Sequence, residues 1–322
     1  EAALIMEAMA YGCAATSSFI SIHNMAAWMI DRFGGEELKG RYLPDLATMN
    51  NVASYALTEP GSGSDSAAMQ TTAVKDGNGY VLNGSKRYIT NAPFAKLGLI
   101  MARTNKEPLP KNAHVSAFLV DMEKAGVTVG KPDKKMGQEG SQIADIYLDD
   151  VHVDGDALLG GEEGQGFRTA MMSLDNGRLS VAAASAGYAR RILDTAMRYA
   201  QDRKAFGEPI NQFQLIQAML ADSESEIYAA ECMLKDATAK VDAGEPSLLP
   251  AASTKLFASE MCNRVANRCV QIHGGAGYLA EYEAERFYRD SRIYTIYEGT
   301  SQIMQLVIAK AMLRNFAAGG QA

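Results

Sequence analysis

The sequence predicts a mainly helical protein with a β domain in its middle. Helical periodicity covers the first 50 residues, short turn-bounded apolar segments follow, and long helical patterns return after about residue 164. We therefore expect N-terminal helices in residues 1–52 and a middle antiparallel β-barrel in 53–162, with a sandwich as the alternative. Residues 163–322 would form a C-terminal four-helix bundle.

Composition narrows the class of protein. The chain has 322 residues, of which 47% are hydrophobic and 21% charged, as in ordinary globular proteins. A net charge of −7 argues against nucleic-acid binding, and the absence of a long apolar run argues against a membrane span. Four cysteines without a CxxC pair argue against a metal site. We expect buried free thiols and a reducing compartment, either bacterial cytoplasm or mitochondrial matrix.

The first 50 residues read as three helices. EAALIMEAMA is apolar on most faces, which predicts a buried helix. The segment TSSFISIHNMAAWMIDRFGG has Ser and Thr caps at its start and Gly34-Gly35 at its end, and a shorter helix containing Pro44 follows. Because the chain opens inside a helical pattern, we expect an N-terminal piece to be missing.

The β domain is marked by hairpin signals and short strands. Asp76-Gly77, Asn78-Gly79 and Asn83-Gly84 are dipeptides typical of tight turns. Strands are predicted for LGLIMART, HVSAFLVDM, GVTVGK and ADIYLDDVHV.

Four long helical patterns follow the β domain. The first lacks proline, and the second is expected to begin at Pro209 and end at Gly244. The third ends at Gly274-Gly275, and the last begins near Tyr297.

Two segments of the β domain could bind a cofactor. In YALTEPGSGSDSA, residues 55–67, glycines allow close backbone approach and hydroxyl groups are plentiful, although a solvated loop is equally open. The loop matches neither a Rossmann nor a Walker pattern. In GSKRYITN, Tyr88 could stack on a flat ring beside Thr90, with ordinary sheet packing as the alternative.

Three segments of the helical region could also bind a ligand. Asp175 and Arg178 share a helix face, as an ion pair or a ligand site. Arg203 could meet a pyrophosphate or cap a helix. Gly274-Gly275 could present backbone N–H groups to an anion, whereas the neighbouring His273 is more often structural.

Glu298, in IYTIYEGTSQI, is the candidate catalytic base. Its aromatic and apolar neighbours would desolvate the carboxylate and raise its pKa, and a helix start would offer N–H groups to an oxyanion. The alternative is a helix-start carboxylate stabilised by the helix dipole.

Five motifs in this order resemble the acyl-CoA dehydrogenase family over nearly the whole chain. They are YALTEPGSGSD, LNGSKRYITN, DRKAFGEPI, QIHGGAGY and IYEGTSQI, and ISIHNMAAWMIDRFG looks most like the isobutyryl-CoA dehydrogenase branch. The resemblance implies the same three-part fold, FAD as cofactor, a homotetramer, and the absence here of the first two helices of the usual N-terminal domain.

The resemblance also implies roles for individual residues. Glu298 would be the catalytic base. The substrate would meet Ser64, Asp175, Arg178, Tyr297 and Gly299. The flavin would be held by Tyr55, Leu57, Thr58, Ser64, Tyr88, Ile89 and Thr90, and the FAD of a neighbouring subunit by Arg203, Phe206, Ile210, Phe213, Gln214, Gln271, Gly274 and Gly275. Thr300 and Gln302 would bind the adenosine diphosphate part.

One departure within the family bears on the base. Another branch carries its base immediately before the arginine of LDNGRL, where this chain has Gly177, which leaves Glu298. The implied activity is FAD-dependent α,β-dehydrogenation of a short or branched acyl-CoA, with electrons passing to an electron-transferring flavoprotein. An acyl-CoA oxidase and a non-catalytic helical scaffold are the alternatives. Met25, Tyr297 and Met304 could line the acyl pocket or belong to the core.

Overall fold

A computed structural model describes residues 1–104 and 114–319 of the chain. Contacts divide the chain into two compact units. The sheet unit comprises residues 19–134 and 140–174, and the helical unit comprises 1–18, 135–139 and 175–322. In the described ranges, no helix is long and apolar enough to cross a membrane.

The predicted combination of helices and a middle β domain is confirmed. The helices are α1 Ala2–Gly12, α2 Ala14–Phe33, α3 Glu36–Ala47, α4 Gly166–Asp202, α5 Gln214–Asp242, α6 Leu248–His273, α7 Glu283–Ser291 and α8 Ser301–Ala317. The strands are β1 Ala53–Ala56, β2 Thr72–Asp76, β3 Gly79–Thr90, β4 Leu97–Arg103, β5 Val115–Asp121, β6 Val127–Val129, β7 Ile143–Asp154, β8 Lys204–Ala205 and β9 Glu208–Pro209.

The sheet unit is built on one seven-stranded sheet. Its strand order is β1-β4-β2-β3-β7-β6, with β5 paired to β4. Most pairs are antiparallel, as expected, but β1 pairs with β4 in parallel, from Ala53 opposite Leu97 to Ala56 opposite Ile100. The long connection between β1 and β4 gives the chain room for the crossover that parallel pairing needs.

Strand β4 is buried on both faces, and its side chains alternate between two apolar clusters. Leu99 and Met101 pack into the cluster formed with α2 and α3. Ile100 and Ala102 pack into the cluster that β3 and β7 line. This period-2 division explains why the segment reads as an unbroken apolar run.

One predicted turn is a bulge. Gly77 and Asn78 do form the two-residue loop between β2 and β3, with Gly77 at φ +54°. Asn83-Gly84, however, lies inside β3, where the register against β7 shifts. A Cβ on Gly84 would come within 2.7 Å of the Thr71 Cα, so a close backbone crossing requires glycine there.

Helix starts differ from the predictions in three places. Helix α2 begins at Ala14, so Ser17 lies inside it and its hydroxyl donates to the Ala14 carbonyl at 2.8 Å. Helix α5 begins at Gln214, because Pro209 is in β9 and a 3-10 turn intervenes. Helix α8 begins at Ser301, with Thr300 as its N-cap.

The helical unit packs its long helices around α6, which is buried on most sides. Helix α1 lies against α4 so closely that a Cβ on Gly187 would fall 2.0 Å from the Glu7 carbonyl oxygen. The prediction of a buried α1 is wrong for one side of the helix: Met6 and Ala10 are buried, but Leu4 is 69% exposed and Ile5 is also exposed.

The prediction of buried thiols is confirmed for two of the four cysteines. Cys262 and Cys269 lie on the same face of α6 and are buried, whereas Cys13 and Cys232 are exposed.

Candidate active site

Glu298 lies in a turn rather than in a helix. The turn follows a 3-10 segment, Arg292–Thr295, and precedes α8. Glu298 has φ +57° and Gly299 has φ +96°. A non-glycine residue in the left-handed region costs about 1–3 kcal/mol, so surrounding contacts must hold the Glu298 backbone there.

The Glu298 carboxyl is poorly solvated and incompletely bonded. Its Oε2 atom is closed off from solvent and has no hydrogen-bond partner among the described residues. Burial raises the pKa of Glu298 to about 7, against the opposing positive charges of Arg178 and Lys255. A carboxylate with a pKa near neutrality can take up a proton and return it at physiological pH.

Arg178 and Asp175 form the predicted pair on α4. Arg178 Nη1 lies 2.5 Å from Asp175 Oδ1, and the arginine is buried except for a small fraction. Arg178 Nε is closed off and has no partner in the described chain. Burial raises the pKa of Asp175, and Arg178 opposes the rise. The arginine therefore keeps a donor free in the same unit as Glu298.

Gly299 packs against helix α8, which begins two residues later. A Cβ on Gly299 would lie 2.5 Å from the Met304 Cε atom, and Met304 is fully buried. Close packing and positive φ therefore account for this glycine, while contact between the substrate and Gly299 stays a prediction. Tyr297 contacts Gln138 and Ser18 through its hydroxyl, and burial raises its pKa.

Lys255 is a site residue that the sequence analysis missed. It is fully buried on α6, and its Nζ donates to the Gly299 carbonyl at 2.7 Å. The available signal was a lysine within the small and apolar run AASTKLFAS of a helix.

In the sheet unit, the loop after β1 is fixed by a buried ion pair. Lys86 on β3 is fully buried, and its Nζ lies 2.7 Å from Glu59 Oε1 and 3.3 Å from the Leu57 carbonyl. The Glu59 carboxylate also accepts the backbone N–H groups of Gln70, at 2.5 Å, and Thr71, at 3.0 Å. These contacts hold both ends of the segment that contains the predicted flavin residues.

The predicted flavin residues of this loop differ in exposure. Tyr55 and Leu57 are buried, Thr58 is half-buried and Ser64 is exposed. The Thr58 carbonyl accepts the Arg87 N–H at 2.9 Å. This hydrogen bond brings the loop to the strand that carries the second motif.

Tyr88 presents an aromatic ring at the surface of the sheet unit. It is 57% exposed, has φ +59°, and the Arg87 guanidinium lies 4.7 Å from its ring centre. Ile89 points into the core, so it could meet a cofactor only through its backbone, and Thr90 is half-buried.

A small hairpin between α4 and α5 displays the third motif. β8 and β9 pair around Phe206 and Gly207, which have φ +51° and +93°. Phe206 is 98% exposed, and its ring contacts Phe213 edge-to-face at 5.9 Å. Arg203 and Gln214 are exposed, whereas Ile210 is buried and donates its N–H to the Arg203 carbonyl at 2.8 Å.

The end of α6 has open backbone at the fourth motif. Gln271, Gly274 and Gly275 are exposed, and added Cβ atoms on the two glycines would meet nothing within 4 Å. His273 is buried, contacts the Cys269 carbonyl through Nδ1 at 2.7 Å, and stacks on Tyr199.

Thr300 and Gln302 line a polar cleft of about 520 Å³ within the helical unit. Arg264, Arg268 and Arg292 also line it, against the single acid Glu260. The Thr300 hydroxyl caps α8 by accepting the Ile303 N–H at 3.2 Å. The cationic lining suits a phosphate-bearing group.

The helical unit therefore contains Glu298 with Tyr297 and Gly299 beside it in the chain, Arg178 acting on its charge, and Asp175 paired to Arg178. The sheet unit gathers the predicted flavin loop with Tyr88. Both sets contain a strained backbone, because Glu298 and Tyr88 are among the seven described non-glycine residues with positive φ.

Family models match almost the entire chain. The acyl-CoA dehydrogenase N-terminal domain matches residues 1–50, the middle domain 54–151 and the C-terminal domain 164–313.

Curated relatives match at a similar extent. Isobutyryl-CoA dehydrogenase, mitochondrial, from Dictyostelium discoideum is 39% identical over 98% of this chain and 75% of its own length. Caffeyl-CoA reductase-Etf complex subunit CarC from Acetobacterium woodii is 42% identical over 97% of this chain and 82% of its own.

Solved structures share the fold. Butyryl-CoA dehydrogenase from Megasphaera elsdenii superposes with a TM-score of 0.93 at 38% identity, covering 96% of this chain and 80% of that one. PigA with FAD and proline superposes with a TM-score of 0.92 at 32% identity, covering 96% and 81%. The chain belongs to the acyl-CoA dehydrogenase family, whose members are FAD-dependent oxidoreductases.

Proposed function

We propose that this protein dehydrogenates a short or branched acyl-CoA to the 2-enoyl-CoA, with Glu298 as the base. The observation that carries the proposal is the Glu298 carboxyl, whose Oε2 is closed off and unpaired in the described chain and whose pKa burial raises to about 7. The names of the relatives support a short or branched acyl group.

Each of the two units has residues that suit one part of FAD. The exposed Tyr88 ring offers a stacking surface, and the cationic cleft at Thr300 and Gln302 offers donors to a pyrophosphate. The exposed Phe206 and the open backbone at Gly274 suit contact with a molecule beyond this chain, which supports the predicted homotetramer. A light-scattering mass of four chains would agree with that assembly, and a monomer would contradict it.

Glu298 removes the proton from the substrate Cα, and the positive charges of Arg178 and Lys255 keep the carboxylate available for this step. Its backbone N–H donates no hydrogen bond to another described residue, so it is free to meet the thioester oxygen as negative charge develops. FAD, when bound, supplies the acceptor for the hydride that leaves Cβ. The left-handed turn at Glu298 places that N–H in a loop, and not at the helix start that the sequence suggested.

Replacing Glu298 with glutamine tests the base. Glu298→Gln should still bind FAD, because it exchanges the carboxylate for a neutral amide of the same size. Acyl-CoA should no longer bleach the flavin of this variant. A loss of at least about 10³-fold in reduction rate is expected, since the base is absent. The matched control is Glu281→Gln at an exposed position, which should reduce flavin normally. Full bleaching of Glu298→Gln by acyl-CoA would contradict the assignment.

We propose an electron-transferring flavoprotein as the electron acceptor, supported by the Etf-complex relative. The oxidase alternative predicts stoichiometric peroxide during turnover in air. Turnover that needs the flavoprotein and releases no peroxide would support the dehydrogenase.

A further inference from the structure

Lys255 donates a hydrogen bond to the backbone of the turn that contains Glu298. It lies on α6, fully buried, and its Nζ donates to the carbonyl of Gly299, the residue directly after Glu298, at 2.7 Å. Glu298 and Gly299 both have left-handed backbone conformations. The bond therefore ties the strained turn to a rigid, buried helix.

The charge of Lys255 is not matched by a close ion pair. Among the described residues, no carboxylate oxygen lies within 4.0 Å of its Nζ, although burying an unpaired ammonium is costly. The charged groups that face it are Arg178 from α4, Glu260 from its own helix, and Glu298 from the turn. Both acids act on the Lys255 ammonium, and Glu298 raises the pKa of Lys255 more than Glu260 does. Glu298, whose Oε2 has no partner among the described residues, is therefore the stronger acidic neighbour of Lys255.

We propose that Lys255 is a positioning residue for Glu298, which holds the turn through the Gly299 carbonyl and favours the carboxylate form through its charge. The inference rests on the proposed role of Glu298 as base. Burial alone would leave this carboxyl protonated and unable to accept the α proton at neutral pH. A buried cation beside the turn restores the anionic form without blocking Oε2, because its hydrogen bond goes to the backbone.

Substitutions of Lys255 can separate the effect of its charge on Glu298 from the effect of its hydrogen bond to Gly299. Lys255→Met removes both, Lys255→Gln keeps a donor without charge, and Lys255→Arg keeps the charge. The matched control is Lys235→Met, which removes one positive charge at an exposed position of α5.

The direct measurement is an infrared titration of the Glu298 carboxyl in the FAD-loaded protein without acyl-CoA. Subtracting spectra of the same background carrying Glu298→Gln isolates its signal. In Lys255→Met and Lys255→Gln, the midpoint should rise by about 1 pH unit or more above wild type, since an opposite charge has been lost. Lys255→Arg and Lys235→Met should titrate near the wild-type midpoint. Should Lys255→Met misfold, Lys255→Gln provides the same test with a polar side chain of similar length.

Flavin reduction by acyl-CoA provides the second readout. The flavin reduction rate of Lys255→Met, relative to wild type, should fall further at pH 6 than at pH 9. The reason is that the acidic side of the pH–rate profile moves to higher pH together with the titration midpoint of Glu298. An unchanged midpoint in folded Lys255→Gln would overturn the inference. If the midpoint moves as expected but wild-type protein is reduced by no acyl-CoA, the proposed function fails while the role of Lys255 toward Glu298 stands.

Discussion

At the scale of single residues, Glu298 combines two features that destabilise the folded state and that an ordinary surface glutamate lacks. Its backbone is left-handed, and burial raises its pKa to about 7. Strain and desolvation at one residue are typical of functional sites, where stability is given up for reactivity. His273 shows the contrast, because its ring is satisfied by a backbone carbonyl and a stacked tyrosine.

A stability prediction follows from the raised pKa. The pKa of Glu298 rises from 4.5 to about 7 in the folded protein, so the folded state binds this proton more tightly. The resulting stabilisation is complete below about pH 4.5 and disappears as pH rises through 7. Glu298→Gln, which stays neutral, should match wild type near pH 4.5 and be more stable by roughly 3 kcal/mol at pH 8. Melting curves of both proteins across pH check this, and a gap independent of pH would contradict it.

At the scale of elements, the loop after β1 depends on a buried pair contributed by two segments. Lys86 comes from β3 and Glu59 from the loop, and Glu59 also accepts two backbone N–H groups. Burial raises the pKa of Glu59, but Lys86 and these hydrogen bonds lower it by more, so the carboxylate stays ionised. The pair fixes Thr58 beside Arg87, where the predicted flavin residues converge.

Removing one partner of the Lys86–Glu59 pair should lower the free energy of unfolding more than removing both partners. Lys86→Met leaves the Glu59 charge buried without a counter-charge and should cost about 3–5 kcal/mol. The double variant Glu59→Gln, Lys86→Met should recover a large part of that loss, because no isolated charge remains. Urea unfolding of wild type, both single variants and the double variant measures the coupling. Additive losses would show that the two side chains act independently.

At the scale of the whole molecule, family membership follows from three domain models and from structures that cover nearly all of the chain. The substrate is a separate matter, because relatives of similar identity are named for isobutyryl-CoA and for caffeyl-CoA. One methylene in an apolar pocket changes binding by only about 1–3 kcal/mol, so small differences in wall residues decide the preference.

A panel of acyl groups tests the proposed preference. Flavin reduction rates with isobutyryl-, 2-methylbutyryl-, butyryl- and octanoyl-CoA should be highest for a short or branched chain. The preference over octanoyl-CoA should be at least about 10–200-fold, the discrimination that a single methylene provides. The best rate with octanoyl-CoA would contradict the branched or short-chain proposal.

The fold class, the family and the candidate base can be read from the amino-acid sequence alone. These follow from local signals: period-2 and helical patterns, turn dipeptides, and five motifs in order. The predicted starts of α2, α5 and α8 are wrong, and Asn83-Gly84 forms a bulge and not the predicted turn, because capping and bulges depend on contacts distant in sequence.

The surroundings of the candidate base depend on segments that come together in the folded chain. Lys255 lies 44 residues from Gly299 along the chain, and its charge and hydrogen bond reach the turn only because α6 passes beneath it. The parallel pairing of β1 with β4 and the burial of Lys86 against Glu59 likewise join distant segments. A pKa depends on burial and on nearby charges in space, so the sequence can name Glu298 as a candidate base but cannot give the environment that raises the pKa of its carboxyl.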